Sequence, residues 1–228
     1  IIPFLIPFLL IMILSTRVRW IKDKIDSFNI KQILIFILMI ILSIYILNIA
    51  ERNYLFASIL ISSSFFLFFN SLMDFFNKNI KYSQKISHLA FSSLILSILL
   101  NGVFSNEINT NMKAGDQINF NEKIIKFKEV SFLKKNNYKL MRGNFELVQP
   151  GKITLNFSPE IRVYDQPKIS TSEADIKTDL FSDNFIVFSL LNDEGIFNVR
   201  YQNKPFMIWI WISSLILAIG GILATVRK

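Results

Sequence analysis

The chain has no cysteine and a single histidine, His88, among its 228 residues. The lack of cysteine excludes disulfides, thiolate metal sites and cysteine nucleophiles. Glycine-rich phosphate loops, His-Glu-x-x-His zinc motifs and Gly-x-Ser-x-Gly elbows are also missing from the sequence. The sequence therefore contains no autonomous catalytic set, and His88 is the candidate for a cofactor or metal site.

The sequence also lacks the marks of a secretory signal at its start. The first residue is isoleucine rather than methionine, no charged region precedes the opening apolar run, and no small-residue cleavage site follows it. The simplest interpretation is that the chain is the C-terminal part of a longer protein.

The apolar residues are too numerous for an ordinary soluble domain, at 52% of the chain with a mean hydropathy of +0.42. They are gathered into blocks, and blocks of this length predict membrane-spanning helices. The first block is short and contains Pro3 and Pro7, as expected for a truncated or broken helix. The sequence predicts five spans, at about residues 2–16, 33–49, 54–76, 86–104 and 206–226.

Lysine and arginine mark one side of these predicted helices. They lie in the loops 17–31 and 78–85 and at the C-terminus, 227–228. If the helices alternate in direction, all three groups lie on one side, which the positive-inside rule makes cytoplasmic. This topology places residues 105–205 outside and accounts for much of the net charge of +8, so nucleic acid is a poor candidate partner. The tryptophans lie at the predicted membrane interfaces: Trp20, Trp209 and Trp211.

Residues 105–205 change from apolar runs to an alternation of apolar and polar residues. Phe197, Val199 and Tyr201 alternate with polar residues, and the same pattern occurs at 153–157. Such alternation predicts half-buried strands. About seven short strands at this spacing indicate a small β-sandwich or a partly open barrel. Turns are expected at 114–116, 142–144, 149–151 and 192–195.

Two pairs of polar residues lie in the less regular segment 158–180. Glu160 and Arg162 are two residues apart, so on a strand they would face the same way, and the simplest interpretation is a solvated ion pair. Glu173 and Asp175 have the same spacing. Two neighbouring carboxylates can form an acid/base site, but nothing else in the sequence indicates hydrolysis.

His88 lies near the cytoplasmic end of the predicted fourth span. An imidazole in a membrane can ligate a metal or haem iron, relay a proton, or hydrogen-bond a neighbouring helix. A ligating ring needs a partner for its second nitrogen, and Ser87, Ser92 or a carbonyl of another helix could serve. Asp74, near the end of the third span, is expected to be solvated beside Lys78. The residues themselves leave the three roles of the histidine open.

The order of several elements carries a family resemblance. After an opening run with two prolines and Arg-Val-Arg-Trp at 17–20 come a histidine-bearing span, Pro-Glu-x-Arg-x-Tyr at 159–164, an acidic stretch at 172–176, Pro-Phe-x-x-Trp-Ile-Trp at 205–211, and glycines 220–221. Together they resemble the C-terminal part of the CcmF family, the haem-lyase subunits of cytochrome c maturation. The resemblance spans essentially the whole chain.

The resemblance implies a polytopic α-helical protein of the bacterial inner membrane with an inserted all-β domain in the periplasm and a cytoplasmic C-terminus. It implies a haem b held by two histidines on different helices, with His88 as one ligand and the second outside this chain. The family attaches haem from the chaperone CcmE to apocytochrome c with the help of CcmH-type subunits. The family's tryptophan-rich haem-handling loop would lie upstream, so we do not expect this chain to act alone.

The resemblance also extends to polar residues of the exported domain. Glu160, Arg162, Tyr164 and Glu173 match family-like positions, and we expect them to brace the domain or contact partners rather than to catalyse. Two other classes of function remain as alternatives. A fragment of a proton-coupled transporter would need acidic partners for His88 at mid-membrane, whereas a membrane anchor presenting a β interaction domain would tolerate the loss of His88.

Overall fold

The structure is a computed structural model, and it describes residues 2–15, 30–51, 55–151, 153–192 and 195–226. It divides into two compact units: one comprises Ile1–Phe104 and Phe206–Lys228, and the other Ser105–Pro205. The first unit is helical and the second is built from strands. Several expectations from the sequence fall outside the described residues: the basic loop at 17–29, Trp20, the start of the third span at Tyr54, and the C-terminal Arg227 and Lys228.

The described residues of the helical unit form five α-helices. Four of them are long and apolar enough to cross a membrane, whereas α1 has only 14 residues and continues through Pro7 without interruption. A 3₁₀ turn, Asp74–Phe76, follows α3. The class predicted from the sequence, a polytopic helical membrane protein with an inserted β-domain, is confirmed. The helices are α1 (Ile2–Ser15), α2 (Ile30–Ile49), α3 (Leu55–Met73), α4 (Tyr82–Phe104) and α5 (Met207–Val226).

Two predicted spans began too late. The second and fourth were expected from residues 33 and 86, but α2 begins at Ile30 and α4 at Tyr82. The basic residues Lys31 and Lys85 are therefore helical rather than part of loops. Hydropathy marks the apolar middle of a helix, and polar first turns fall outside it.

Small side chains and aromatic rings hold the helices together. Leu9 of α1, Met39 of α2 and Phe66 of α3 share one buried cluster, against which Phe91 of α4 also packs. The Ser43 hydroxyl on α2 donates a hydrogen bond of 3.0 Å to the carbonyl of Ser58 on α3. Serine suits such interfaces because its small side chain permits close approach and its hydroxyl bonds to backbone carbonyls.

The second unit is a sandwich of two antiparallel sheets, which confirms the predicted β architecture. The first sheet has the order β1-β10-β9-β8 and the second β2-β3-β4-β6-β7, with β5 paired to β4. The described residues form ten strands rather than about seven. They are β1 (Asn106–Met112), β2 (Gln117–Phe120), β3 (Lys123–Lys134), β4 (Tyr138–Val148), β5 (Leu155–Phe157), β6 (Glu160–Tyr164), β7 (Ser170–Glu173), β8 (Asp175–Thr178), β9 (Ser182–Leu190) and β10 (Phe197–Pro205).

The core of the sandwich is aromatic. The rings of Phe127 and Phe145 stack with centroids 4.3 Å apart, and Phe188 and Phe197 of the other sheet pack edge-on against Phe127. Such offset and edge-to-face pairs add stability beyond the area that they bury. Each ring comes from the inward-facing set of its strand, as the alternation in the sequence predicts.

The turn expected at 142–144 is wrong, because these residues lie inside β4, which runs unbroken from Tyr138 to Val148. Gly143 has a packing role instead: a Cβ at this position would lie 2.7 Å from the ring of Phe145 and 3.1 Å from that of Phe188. The strand expected from residue 153 is also shorter, since Ile153 is exposed and β5 begins at Leu155. The turns at 114–116 and 149–151 are present, and the one at 192–195 lies partly outside the described residues.

We expect Gly143→Ala to destabilise the sandwich by about 1–3 kcal/mol, because the added methyl group overpacks a filled aromatic core. Hydrogen exchange of peptides from β3 and β4, measured by mass spectrometry on the whole chain, would report the loss as faster exchange. Ser170→Ala, at an exposed position of β7, is the control and should change stability by less than about 0.5 kcal/mol. Unaltered exchange in Gly143→Ala would contradict the packing role.

Candidate functional site

His88 lies in the second turn of α4, one turn before Phe91, and its side chain is half-buried. Within the part of the chain that the structure describes, the ring makes no hydrogen bond. Of the two serines considered as its partners, Ser92 donates instead to the carbonyl of Leu89 at 2.9 Å. The imidazole nitrogens are therefore not committed to a described residue.

Ser87, the other serine considered, marks the closest approach between α4 and α5. An ideal Cβ placed on Gly220 would lie 2.5 Å from the Ser87 hydroxyl oxygen and 3.0 Å from its backbone nitrogen. Only glycine fits this contact, because any larger residue would push the two helices apart. The neighbouring Gly221 has nothing within 4 Å of its ideal Cβ. Gly220 thus permits the close packing of α5 on α4 at the residue before His88.

Asp74 and Lys85 surround the same end of α4 and are both buried. Asp74 is 6% exposed, so the expectation of a solvated residue beside Lys78 is wrong. Lys85 is 4% exposed, and its ammonium group donates to the carbonyl of Phe75 at 3.0 Å, which satisfies the end of the 3₁₀ turn. Both charged residues, which were expected to be in water, are therefore buried: Lys85 within α4 itself and Asp74 in the 3₁₀ turn that precedes it.

A second polar site lies on the outer face of the larger sheet, centred on Glu160. One carboxylate oxygen accepts hydrogen bonds from Nη2 and Nε of Arg142, at 2.7 and 3.0 Å. The other oxygen accepts a hydrogen bond of 2.9 Å from Nε of Arg162 and forms an ion pair with its Nη2 at 2.8 Å. The Glu160 side chain is 12% exposed. The expected solvated pair of Glu160 and Arg162 is instead a largely buried carboxylate held bidentately from both sides.

Arg142 was missed from the sequence because Gly143 suggested a turn there. The pairing of β4 with β6 places Arg142 opposite Glu160, and Tyr138 opposite Tyr164. Once β4 is recognised as one continuous strand, the alternation of side chains along it places Tyr138, Leu140 and Arg142 on this same face.

Tyr164 and Glu173 flank the arginine cluster on either side. The Tyr138 and Tyr164 rings lie 5.2 Å apart, and the Arg162 guanidinium lies 5.4 Å from the centre of the Tyr138 ring. Glu173 lies opposite Glu160 in the β6–β7 pairing and accepts a hydrogen bond of 2.9 Å from Thr171. Four of the expected positions therefore share one patch of the second sheet: Glu160, Arg162, Tyr164 and Glu173.

The spacing of Glu173 and Asp175 does not produce a shared acid/base pair. Glu173 ends β7 in one sheet and Asp175 begins β8 in the other, with Ala174 as the crossover. Asp175 accepts a hydrogen bond of 2.7 Å from the backbone of Ser158 and pairs with Lys177 at 3.3 Å. Both carboxylates border a small cleft of about 280 Å³ beside Glu160, but each is engaged by its own partners. The cluster ties the two sheets together and has no open nucleophile.

The pKa of Glu160 reflects competing causes. Burial raises the pKa of this carboxyl, and the hydrogen bonds and charges of Arg142 and Arg162 lower it by more, so the net pKa lies below the ordinary value. The same contact with Glu160 raises the pKa of the Arg162 guanidinium. Glu160 therefore stays ionised throughout the physiological range.

Together these features define a membrane protein whose β-sandwich is inserted between its last two long helices. Residues 103–205 match the family described as "CcmF C-terminal beta-sandwich". The β-sandwich is therefore of the CcmF C-terminal type, and the relatives and the solved structure described next support a CcmF-type C-terminal part.

Curated relatives agree with this assignment. The chain is 25% identical over 147 residues to cytochrome c-type biogenesis protein CcmF of Pseudomonas aeruginosa, covering 64% of the chain and 22% of the relative. It is 32% identical over 109 residues to cytochrome c-type biogenesis protein ccl1 of Rhodobacter capsulatus, covering 48% and 17%. The chain thus spans about a fifth of the length of the curated relatives that it matches.

A solved structure shares the fold. The structure titled "Cytochrome c Heme Lyase CcmF" superposes with a TM-score of 0.68 at 14% sequence identity, covering 97% of this chain and 38% of that one. At this identity the likeness concerns the fold. It extends over the helical part as well as the sandwich.

We expect Gly220→Ala to disrupt the packing of α4 on α5 and to cost about 1–3 kcal/mol, because the new methyl group would overlap Ser87. Hydrogen exchange of α4 peptides in detergent would report this change. Gly221→Ala is a matched control on the next residue, and it should be neutral or stabilise α5 by up to about 1 kcal/mol through helix propensity. Equal exchange in the two variants would contradict the close contact.

We expect Glu160→Gln to destabilise the sandwich by about 1–3 kcal/mol at neutral pH, because two arginines lose their ionic partner. The pKa of Glu160 is lower in the folded domain than in the unfolded chain, so its ionised form stabilises the domain above the ordinary carboxyl pKa of about 4.3. That contribution disappears as the pH falls through the folded value.

The measurement is hydrogen exchange of β4 and β6 peptides as a function of pH, with rates corrected for intrinsic exchange. The difference between wild type and Glu160→Gln should be full at pH 7 and vanish in acid. Glu122→Gln, exposed in the turn between β2 and β3, should have no effect at any pH. A difference that grew toward low pH would refute the assigned ion pairs.

Proposed function

We propose that the chain acts in cytochrome c maturation as the C-terminal part of a haem lyase, in which His88 supplies one axial ligand to a membrane haem b. The second ligand comes from outside these residues, since the sequence has no other histidine. The observation that carries the proposal is the His88 ring, which is half-buried among the helices and makes no hydrogen bond within the described part of the chain.

The residues around His88 fit such a group. A neutral imidazole has one nitrogen lone pair to donate to iron. The Gly220–Ser87 contact holds α4 and α5 together at the residue next to His88. The helix that carries the imidazole ring is therefore held in place by packing. A haem with two imidazole ligands supplies low-spin one-electron chemistry. The chain's own contribution is to orient the imidazole and exclude water from it.

The sandwich has a supporting role in this proposal. Haem would arrive on the chaperone CcmE and be joined to apocytochrome c with the help of CcmH-type subunits. Glu160, Arg162, Tyr164 and Glu173 would brace the domain or contact these partners, because each side chain with a charge is engaged by a neighbour. The absence of an open nucleophile among these described residues favours bracing over catalysis.

The proposed orientation places the sandwich in the periplasm and the C-terminus in the cytoplasm of the bacterial inner membrane. Exposed Lys78 and Lys81, between α3 and α4, support the positive-inside assignment of that loop. Trp209 and Trp211 in the first turns of α5 are exposed, as expected for rings at a membrane interface.

The test of the haem site is the reduced absorption spectrum of the detergent-extracted full-length protein, which includes the second ligand, with bound haem. His88→Gly should lose the b-type band, and added imidazole should restore it, because the free ligand can occupy the space of the missing ring. Ser93→Ala, on the same helix and also half-buried, is the control and should keep the wild-type band. A band of undiminished intensity in His88→Gly without imidazole would reject the ligand role.

A proton-relay function is the second candidate, and the burial of Asp74 next to His88 favours it. It requires both residues, so Asp74→Asn and His88→Gln should each abolish proton flux in vesicles that contain the chain. Flux that is absent from wild-type vesicles, together with an imidazole-rescued haem band, would exclude it.

A further inference from the structure

The outer edge of β3 beyond Lys126 has no partner strand among the described residues. β2 pairs with β3 only over 123–126, and the turn before β2 bonds to Phe127 through Gly115 and Asp116. From residue 129 to residue 134 the strand is paired with β4 on one side alone. An edge of this length presents a row of backbone donors and acceptors that another chain can pair with.

An apolar groove adjoins this edge. Phe132 pairs with Met141, and Met141 pairs with Ile161, so these side chains lie on the face that holds the buried Phe145 further along β4. Phe132 is nevertheless 73% exposed and Val163 42% exposed. The groove that they line has a volume of about 430 Å³ and an almost wholly apolar surface. The inner face of the second sheet thus continues past the sandwich core without cover.

Lysines surround the groove, and their positive charge indicates that a molecule bound there is acidic. Lys134 and Lys139 line it, and Lys135 follows in the hairpin loop. A second copy of the same edge would bring like charges together, which disfavours self-pairing. The register shift between Phe127 and Glu129 further hinders the pairing of two identical edges. An acidic partner avoids the repulsion between like charges, and residues 129–134 lie beyond the register shift.

We propose that β3 receives an extended acidic peptide segment of a partner protein, added as a further strand beyond residue 128. The peptide's backbone would pair with the open edge, and its alternate apolar side chains would enter the groove beside Phe132. This is the recognition mode of strand addition, in which main-chain hydrogen bonds give affinity and side-chain pockets give selectivity. The site does not involve His88, so it is independent of the proposed haem ligation.

The test is fluorescence anisotropy with the whole chain in detergent micelles. The probe is a labelled ten-residue peptide that alternates valine and threonine and carries two glutamates at each end. Phe132→Glu should weaken binding at least about tenfold, since it removes an aromatic anchor and reverses the local charge. Phe181→Glu is the matched control: it replaces a phenylalanine that is 70% exposed elsewhere in the sandwich, and it should bind within about twofold of wild type.

Three altered peptides separate strand addition from simple apolar contact. Two of them are N-methylated, each on one of the two sets of alternate backbone amides. N-methylation removes hydrogen-bond donors, so the peptide methylated on the set that faces β3 should bind at least about tenfold more weakly. Replacing the four glutamates by lysines should abolish binding to wild type and restore it to Lys134→Glu/Lys139→Glu. The chain has no cysteine, so Lys128→Cys also offers a unique thiol, which should form a disulfide with a cysteine-bearing peptide.

The proposal is overturned if Phe132→Glu binds the peptide as wild type does, or if both N-methylated peptides bind undiminished. It is also overturned if the wild-type chain self-associates and Phe132→Glu abolishes that association, because the occupant would then be a second copy. Binding that depends on added anionic lipid rather than on the peptide would identify a membrane as the occupant and equally reject it.

Discussion

The chain passes twice between the helical unit and the sandwich, and the architecture depends on these two junctions being adjacent. The chain leaves the helical unit after Phe104 and returns at Phe206, so the sandwich must begin and end on neighbouring strands. It does so because β1 pairs with β10 over their whole length, from Asn106 opposite Asn203 to Met112 opposite Phe197. In the helical unit, α4 ends and α5 begins at these junctions, and the two helices pack against each other. In each unit, the elements at which the chain enters and leaves are therefore neighbours.

β4 contributes to both the aromatic core and the polar Glu160 cluster of the sandwich. Its inner face contributes Phe145 to the aromatic core, and its outer face contributes Arg142 to the Glu160 cluster. Gly143, between them, has no side chain because two rings occupy the place where one would lie. A strand that supplies both faces cannot slip by one residue without exchanging its phenylalanine for its arginine, which fixes the pairing register.

The sequence was most informative where periodicity was long and uninterrupted. The long helices, the inserted sandwich and the shared face of Glu160 and Arg162 all followed from hydropathy or alternation. Errors arose where one local signal had two physical causes. Gly143 indicated a turn, but glycine is equally required where rings approach a backbone.

Charged residues were the other source of error. Asp74 and Lys85 were assigned to water because ionisable groups are costly to bury, yet a hydrogen bond to the Phe75 carbonyl compensates Lys85. Such compensation comes from contacts between separate elements, which no local pattern in a sequence contains. The same is true of Gly220, whose role depends on Ser87 more than a hundred residues earlier.

The irregularity between Phe127 and Glu129 has a consequence for how this surface can change. Side chains alternate along a strand, and one additional residue reverses which of them point inward. Phe132 faces the groove and Leu133 the opposite side only because that extra residue is present. Which side chains line the groove thus depends on whether the number of residues along this part of the strand is odd or even, rather than on residue type. Loss of one codon in this strand would exchange its two surfaces at once, whereas most single-base changes would alter only one position.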